Sequence, residues 1–299
     1  MRLRDFLAGT SALPLLALLA LAGPAAAQPA AAPAQPPSTP SAAAPQAAPP
    51  AIPGSEAMAP HRAAYRLQLD RVRQGSDVIQ ADGAMLFEVL DACDGWTTRQ
   101  RLQLNLVDRS GQAIETSSDY STWESKDGRR LRFTLTQMAQ GAVTQRISGE
   151  AELDKPEGRG RVRYEQPSTS TVELPNGTLL PMVHTLRALQ LAQAGQQRML
   201  VAPLFDGTSE EGAQDSTTIL SPWSQPQAQP RFPLMQNQAS ARMRIAFFGK
   251  DAAAGASAPE YEVGLRYYAN GVADEMHMDF GDFAVNALMQ SLEPIPAAC

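Results

Sequence analysis

The sequence predicts a mainly β protein, built as a large curved or spiral antiparallel sheet or an open barrel, with one principal α-helix at about 181–195. Three observations predict it. From Tyr65 onward apolar residues recur at every second position, turn-forming residues punctuate these runs, and only one segment carries helical spacing. Alternation at period two marks strands with one face on a core and the other in water. Many such strands with a single helix favour a sheet that curls on itself.

The first strand is read in "AYRLQLD", where Tyr65, Leu67 and Leu69 face one way and Arg66, Gln68 and Asp70 the other. "RLQLNLV" repeats the pattern with Leu102, Leu104 and Leu106, and "RRLRFTLTQ" with Leu131, Phe133 and Leu135. Turn signals fall between the runs in "DACDGW", "DRSGQ", "SKDGRR", "DKPEGRG" and "LPNGT". The helix is "PMVHTLRALQLAQAGQ": Pro181 opens it, Val183, Leu186, Leu189 and Leu191 lie along one side, and Gly195 stops it. "PWSQPQAQPRFPLMQNQAS", rich in Pro and Gln, is read as a long mobile loop, and "KDAAAGASAPE" as another. Asn270-Gly271 in "YANGV" is the strongest hairpin signal.

Ahead of these elements stand two segments of a different kind. Residues 1–27 have Arg2 and Arg4, an apolar run from Phe6 to about Ala22, and small residues after Pro24, the layout of a cleaved secretory signal. Residues 28–60 are almost all Ala, Pro and Gln, too poor in apolar bulk to offset their ordering entropy, and are read as a disordered leader. Residues 61–299 then form a single β domain. Loss of the signal removes two positive charges and one negative, so the formal charge moves from −6 to −7. An acidic exported chain has no long-range attraction for nucleic acid or anionic lipid, and after cleavage nothing remains to span a membrane. The compartment expected is a bacterial periplasm.

Two cysteines in an oxidising compartment are enough for one bridge. Cys93 lies in the "DACDGW" turn and Cys299 is the last residue, so a bond between them would pin the carboxy terminus to the early strands. An intermolecular disulfide and two free thiols are the other readings. Catalytic signatures are missing: there is no G-x-S-x-G, S-x-x-K, H-E-x-x-H or glycine-rich phosphate loop. His61, His184 and His277 are scattered, which does not suit a metal cluster, and no cofactor is expected. His277 falls in step with Glu275 and Asp279, as a base or half a metal site would, or as a solvated strand face does. Asp206, Glu210, Glu211 and Asp215 in "FDGTSEEGAQD" lack calcium-loop spacing and are read as a solvated turn. Asp279 and Asp282 around Gly281 suit a turn as well as an acid pair. Met276, Met278, Phe280, Phe283, Phe247 and Phe248 are read mostly as core, with an apolar concave face as the functional alternative.

In sequence order, "MAPHRAAYRLQL", "ACDGWTTRQRLQL", "LLPMVHTLRAL", "LFDGTSEEG" and "HMDFGDFAVNALMQSLEPIP" with the closing cysteine resemble the cell envelope integrity EipB family. The resemblance covers most of residues 58–299. It implies a periplasmic protein of spiral β-fold in which Cys93 bonds Cys299. The leading expectation is therefore a non-catalytic periplasmic protein that supports envelope integrity by binding a protein partner or an envelope component. A carrier of lipid or lipoprotein acyl chains is the first alternative. The second is an envelope hydrolase using His277, Asp279 or His184.

Overall fold

Alternation at period two becomes strand pairing over nearly the whole domain. A computed structural model describes residues 51–249 and 258–297. The signal, the leader through residue 50, most of the second Ala-rich loop and Cys299 lie outside the described residues. Eight strands come first: β1 (His61–Val72), β2 (Val78–Asp91), β3 (Gly95–Asp108), β4 (Ala113–Ser125), β5 (Arg130–Ala139), β6 (Ala142–Leu153), β7 (Gly160–Gln166) and β8 (Ser170–Leu174). The helix α1 (Pro181–Ala194) follows. Six more strands close the chain: β9 (Met199–Leu204), β10 (Gln214–Leu220), β11 (Ser240–Phe248), β12 (Tyr261–Tyr268), β13 (Ala273–Asp279) and β14 (Phe283–Pro294).

All fourteen belong to one antiparallel sheet that is not closed, in the order β8-β7-β6-β5-β4-β3-β2-β1-β14-β13-β12-β11-β10-β9. Two meanders are thus sewn together at a seam where the first strand meets the last. That seam runs from His61 opposite Pro294 to Val72 opposite Phe283. Among the described residues β8 and β9 are the edges of the sheet, and an isolated bridge between Leu179 and Leu204 extends β9.

The helix sits inside the curve. Between Met182 and Leu189 only Arg187 is exposed, so α1 is buried nearly all round rather than along the single stripe expected. Met182, Leu186 and Leu189 join a core built from the seam strands and β11–β13. Val183 joins a second core under β5–β7. Pro181 occupies the first turn, and Gly195 ends the helix in the left-handed region (φ 70°), which a side chain would strain. No side chain at Leu180 caps the amino end; Glu124 does so from β4. Its two carboxylate oxygens accept the backbone N–H groups of Met182 (2.8 Å) and Val183 (3.1 Å). No helix among the described residues is long and apolar enough to cross a membrane.

Two expectations are corrected. The leader was to be disordered through residue 60, yet Ile52 donates its N–H to Lys126 O (2.9 Å), Ser55–Ala57 forms a 3-10 turn, and Met58 is buried. Ile52 and Met58 supply the apolar bulk that the preceding Ala/Pro stretch lacks. The Pro/Gln-rich segment after β10 is packed rather than loose. Met235 is buried, Trp223, Phe232 and Leu234 lie against the first core, and Arg231 donates to Met289 O (2.7 Å). Ser224 and Ser240 exchange backbone hydrogen bonds at its base, after which β10, β11 and β12 pair in sequence order.

Candidate ligand-binding cleft

The inner face of β3 carries Leu102, Leu104 and Leu106 opposite Ser118, Thr116 and Ile114 of β4. Gln137 of β5 and Gln145 of β6 continue the row that begins with Leu102 and Ser118. This makes a wall that is apolar along β3 and turns polar across β4–β6. Facing it are Phe247, Tyr261, Met278, Phe280 and Phe283 from the second meander. Four of these form a line of rings, with centroids 5.9 Å apart from Phe247 to Tyr261, 5.4 Å from Tyr261 to Phe280 and 5.2 Å from Phe280 to Phe283. Between the walls lies an open cleft of about 900 Å³, within the size range of small-ligand sites.

The third side is the β9–β10 connection, residues 205–213. Glu210 and Glu211 are exposed there, as a solvated turn requires, Asp215 is exposed at the start of β10, and Asp206 is half-buried. What the sequence reading did not include is that two tyrosines on distant strands hold this turn. Tyr120 of β4 donates its hydroxyl to Asp206 O. Tyr164 of β7 donates to Ser209 O (2.8 Å) and accepts the N–H of Gly212 (3.0 Å). Asp206 folds the turn internally, taking the N–H (2.9 Å) and hydroxyl (2.7 Å) of Thr208. Gly207 has φ 79°, and a Cβ there would meet the Phe133 ring at 2.3 Å, so only glycine lets the loop lie this close. Burial pushes the Asp206 carboxyl above its usual range, against the pull of the Thr208 bonds.

Asp206, Glu210 and Glu211 line the cleft, but the three histidines do not, and each has its own surroundings. His277 projects from the opposite face of β13 to its neighbours Met276 and Met278. Its Nε2 lies 3.1 Å from Asp70, which also accepts from Asn286 (2.8 Å). Glu275 pairs with Arg242 of β11 and Arg266 of β12, and Asp279 with Arg71 of β1, so the acids flanking His277 have basic partners one or two strands away. Asp279 also accepts the N–H of Gly281 (2.9 Å), the turn role of that "DFGDF" segment. His184 is buried in α1, its Nε2 2.8 Å from the Thr218 hydroxyl, and burial pushes its pKa down to about 4. His61 is buried at the start of β1 with its Nδ1 2.7 Å from Ala59 O, and burial lowers it too. Among the described residues no three His, Cys, Asp or Glu side chains are placed to hold a metal ion.

Cys93 occupies the β2–β3 turn in a left-handed conformation (φ 68°), its N–H donated to Asp91 (2.9 Å). Asp91 also pairs with Lys126 (2.8 Å), whose ammonium lies 4.0 Å from the centre of the Trp96 ring. The turn is therefore fixed from both sides. Its expected partner, Cys299, lies outside the described residues.

Sequence reasoning missed Glu124, Tyr120 and Tyr164. Each falls on the inward phase of its strand, and a polar side chain at an inward position was the available signal that it holds something inside.

Comparison with known proteins agrees with this architecture. A family model described as EipB-like matches residues 54–296. A protein of Brucella abortus (strain 2308) named cell envelope integrity protein EipB is 27% identical over 252 residues, covering 79% of this chain and 84% of its own. The crystal structure of a β-barrel-like protein of domain of unknown function DUF1849, also from Brucella abortus, superposes with a TM-score of 0.71 at 26% identity. That likeness covers 80% of this chain and 99% of the other.

Proposed function

We propose, since this chain belongs to the EipB-like family, that it is an exported, non-catalytic protein that supports envelope integrity by binding an envelope component, and that the inner cleft is where it binds. The cleft carries the reading: a space of about 900 Å³ with leucines on one wall and a line of aromatic rings on the other. Apolar side chains left facing a cavity are a standing driving force for an apolar guest. The name of the Brucella relative supports the envelope role. Carriage of acyl chains is the second reading, favoured by the uninterrupted row of Leu102, Leu104 and Leu106 on one face of β3.

The bond between Cys93 and Cys299 belongs to the same proposal as the structural closure of the domain. Pro294 at the end of β14 pairs with His61, which pairs with Val89 of β2, so β14 ends on the same rim as the Cys93 turn. Two strand spacings, about 10 Å, separate β14 from β2. Five residues after Pro294 can reach up to about 17 Å.

Native mass spectrometry of the mature protein, purified from a periplasm without reduction, tests both parts. A mass two hydrogens low with a hydrophobic adduct is the expected result. An adduct that disappears in Leu104→Trp, which fills the cleft, locates the guest. A full-thiol mass removes the bridge, and an adduct unchanged by Leu104→Trp removes the cleft as the binding site.

A further inference from the structure

The polar part of the cleft wall says what kind of head group its guest carries. Gln100 of β3, Ser118 of β4, Gln145 of β6 and Gln214 of β10 all line the cleft and are half-buried. None of these side chains makes a hydrogen bond among the described residues. Ser118 and Gln145 share one row of the sheet, two strands apart, with Leu102 at its end. Gln100 precedes Leu102 on the same face of β3. Hydrogen-bonding capacity that the fold does not use is thus gathered beside the first leucine. An amide and a hydroxyl each donate and accept, so the set matches a partner that also does both.

A charged head finds no partner here. Among the described residues no Lys, Arg or His lines the cleft, so an anion meets no counter-charge. The Asp206 carboxyl is taken up by Thr208 and pushed by burial toward its neutral form. Glu211 and Glu260 each have an interaction of their own within the protein. Glu210 is exposed at the rim, where water and salt screen it. A charge drawn from water into this space loses hydration and gains no ion pair, whereas hydroxyl groups exchange water for amides.

We infer that the cleft takes a single-chain amphiphile with an uncharged, hydroxyl-rich head, its alkyl portion along Leu102, Leu104 and Leu106 and its head across Gln100, Ser118 and Gln145. The inference rests on the reading of the cleft as the binding site and adds the chemistry of the head. The leucines supply affinity for any alkyl chain; the amide and hydroxyl row selects what the chain carries.

The test uses the full mature protein and probes of one alkyl length below their micelle concentrations: decyl maltoside, decyltrimethylammonium and decanoate, each titrated calorimetrically. The maltoside is expected to bind at least about tenfold tighter than either charged probe. Gln100→Leu/Gln145→Leu is expected to weaken the maltoside about tenfold and to leave the charged probes no weaker than before. Ser118→Ala weakens the maltoside about two- to fivefold and serves if the double variant fails to fold. Leu104→Trp is expected to weaken every probe that binds. Either charged probe equal to or tighter than the maltoside overturns the head-group inference while leaving an alkyl-binding cleft. Maltoside binding unchanged in both polar variants overturns it in the same way. Maltoside binding unchanged in Leu104→Trp assigns it to another surface and overturns the inference together with the cleft. No binding by any probe overturns the cleft reading itself.

Discussion

Glu124 and His184 lie within one turn of each other at the start of α1, and burial shifts them in opposite senses for stability. His184 is neutral in the fold, with its pKa lowered from 6.5 to about 4. Between those values the unfolded chain takes up a proton that the folded chain refuses, so stability falls as pH falls. Burial raises Glu124 from 4.5 to about 8 even though two backbone N–H groups pull it down. Between those values the folded chain keeps a proton that the unfolded chain has released, so stability falls as pH rises. From pH 4.5 to 6.5 the two contributions oppose each other. Urea unfolding across this range is expected to show His184→Gln losing stability with rising pH, relative to the parent, and Glu124→Gln gaining it. The limiting slope is about 1.4 kcal/mol per pH unit. Parallel profiles for parent and both variants would refute the assignment. Neither effect was legible in the sequence. His184 could be placed in the first turn of a helix, but its burial depends on Thr218, and the Glu124 cap depends on a strand more than fifty residues away.

At the scale of elements, the helix and the hairpins were readable because their signals are local. Pro181 and Gly195 bracket α1, and Asn270-Gly271 lies in the β12–β13 turn. In the β9–β10 connection the acids are visible in sequence and the tyrosine anchors are not, so the turn was legible and its attachment was not. Tyr164→Phe removes the hydroxyl that Ser209 O and Gly212 N share, leaving two backbone groups short of a partner. The expected cost is about 1–3 kcal/mol, with faster protease cleavage within residues 205–213 while the other loops keep their rates. Equal cleavage in parent and variant would mean that the loop is held by other contacts. The carboxy-terminal tail gives a second case. Cys93→Ser is expected to lower stability by about 2–4 kcal/mol and to expose residues after Pro294 to carboxypeptidase. Identical melting of the parent with and without reductant would show that no bridge contributes.

At the scale of the whole molecule, composition and alternation were enough to predict a curled antiparallel sheet with one helix, and the sheet has that form. The two corrected segments share a reason. Residues 52–60 and 222–239 look like linkers by their proline and small-residue content, yet a few apolar side chains in each, Ile52 and Met58, Trp223, Phe232 and Met235, dock on the core. What no local pattern announces is the seam, since Tyr65 of β1 pairs with Met289 of β14. This seam governs the order in which the chain can finish folding. As the polypeptide emerges amino end first, β1–β8 can zip as one meander, but β1 waits with one hydrogen-bonding edge open until the final strand, Phe283–Pro294, arrives. A chain cut short before Phe283 is thus left with two unpaired edges, on β1 and β13, in the middle of what should be one sheet. Such a fragment should aggregate or be degraded rather than persist as a smaller protein. Loss of β14, the strand that completes the seam, would then be as damaging as loss of the core.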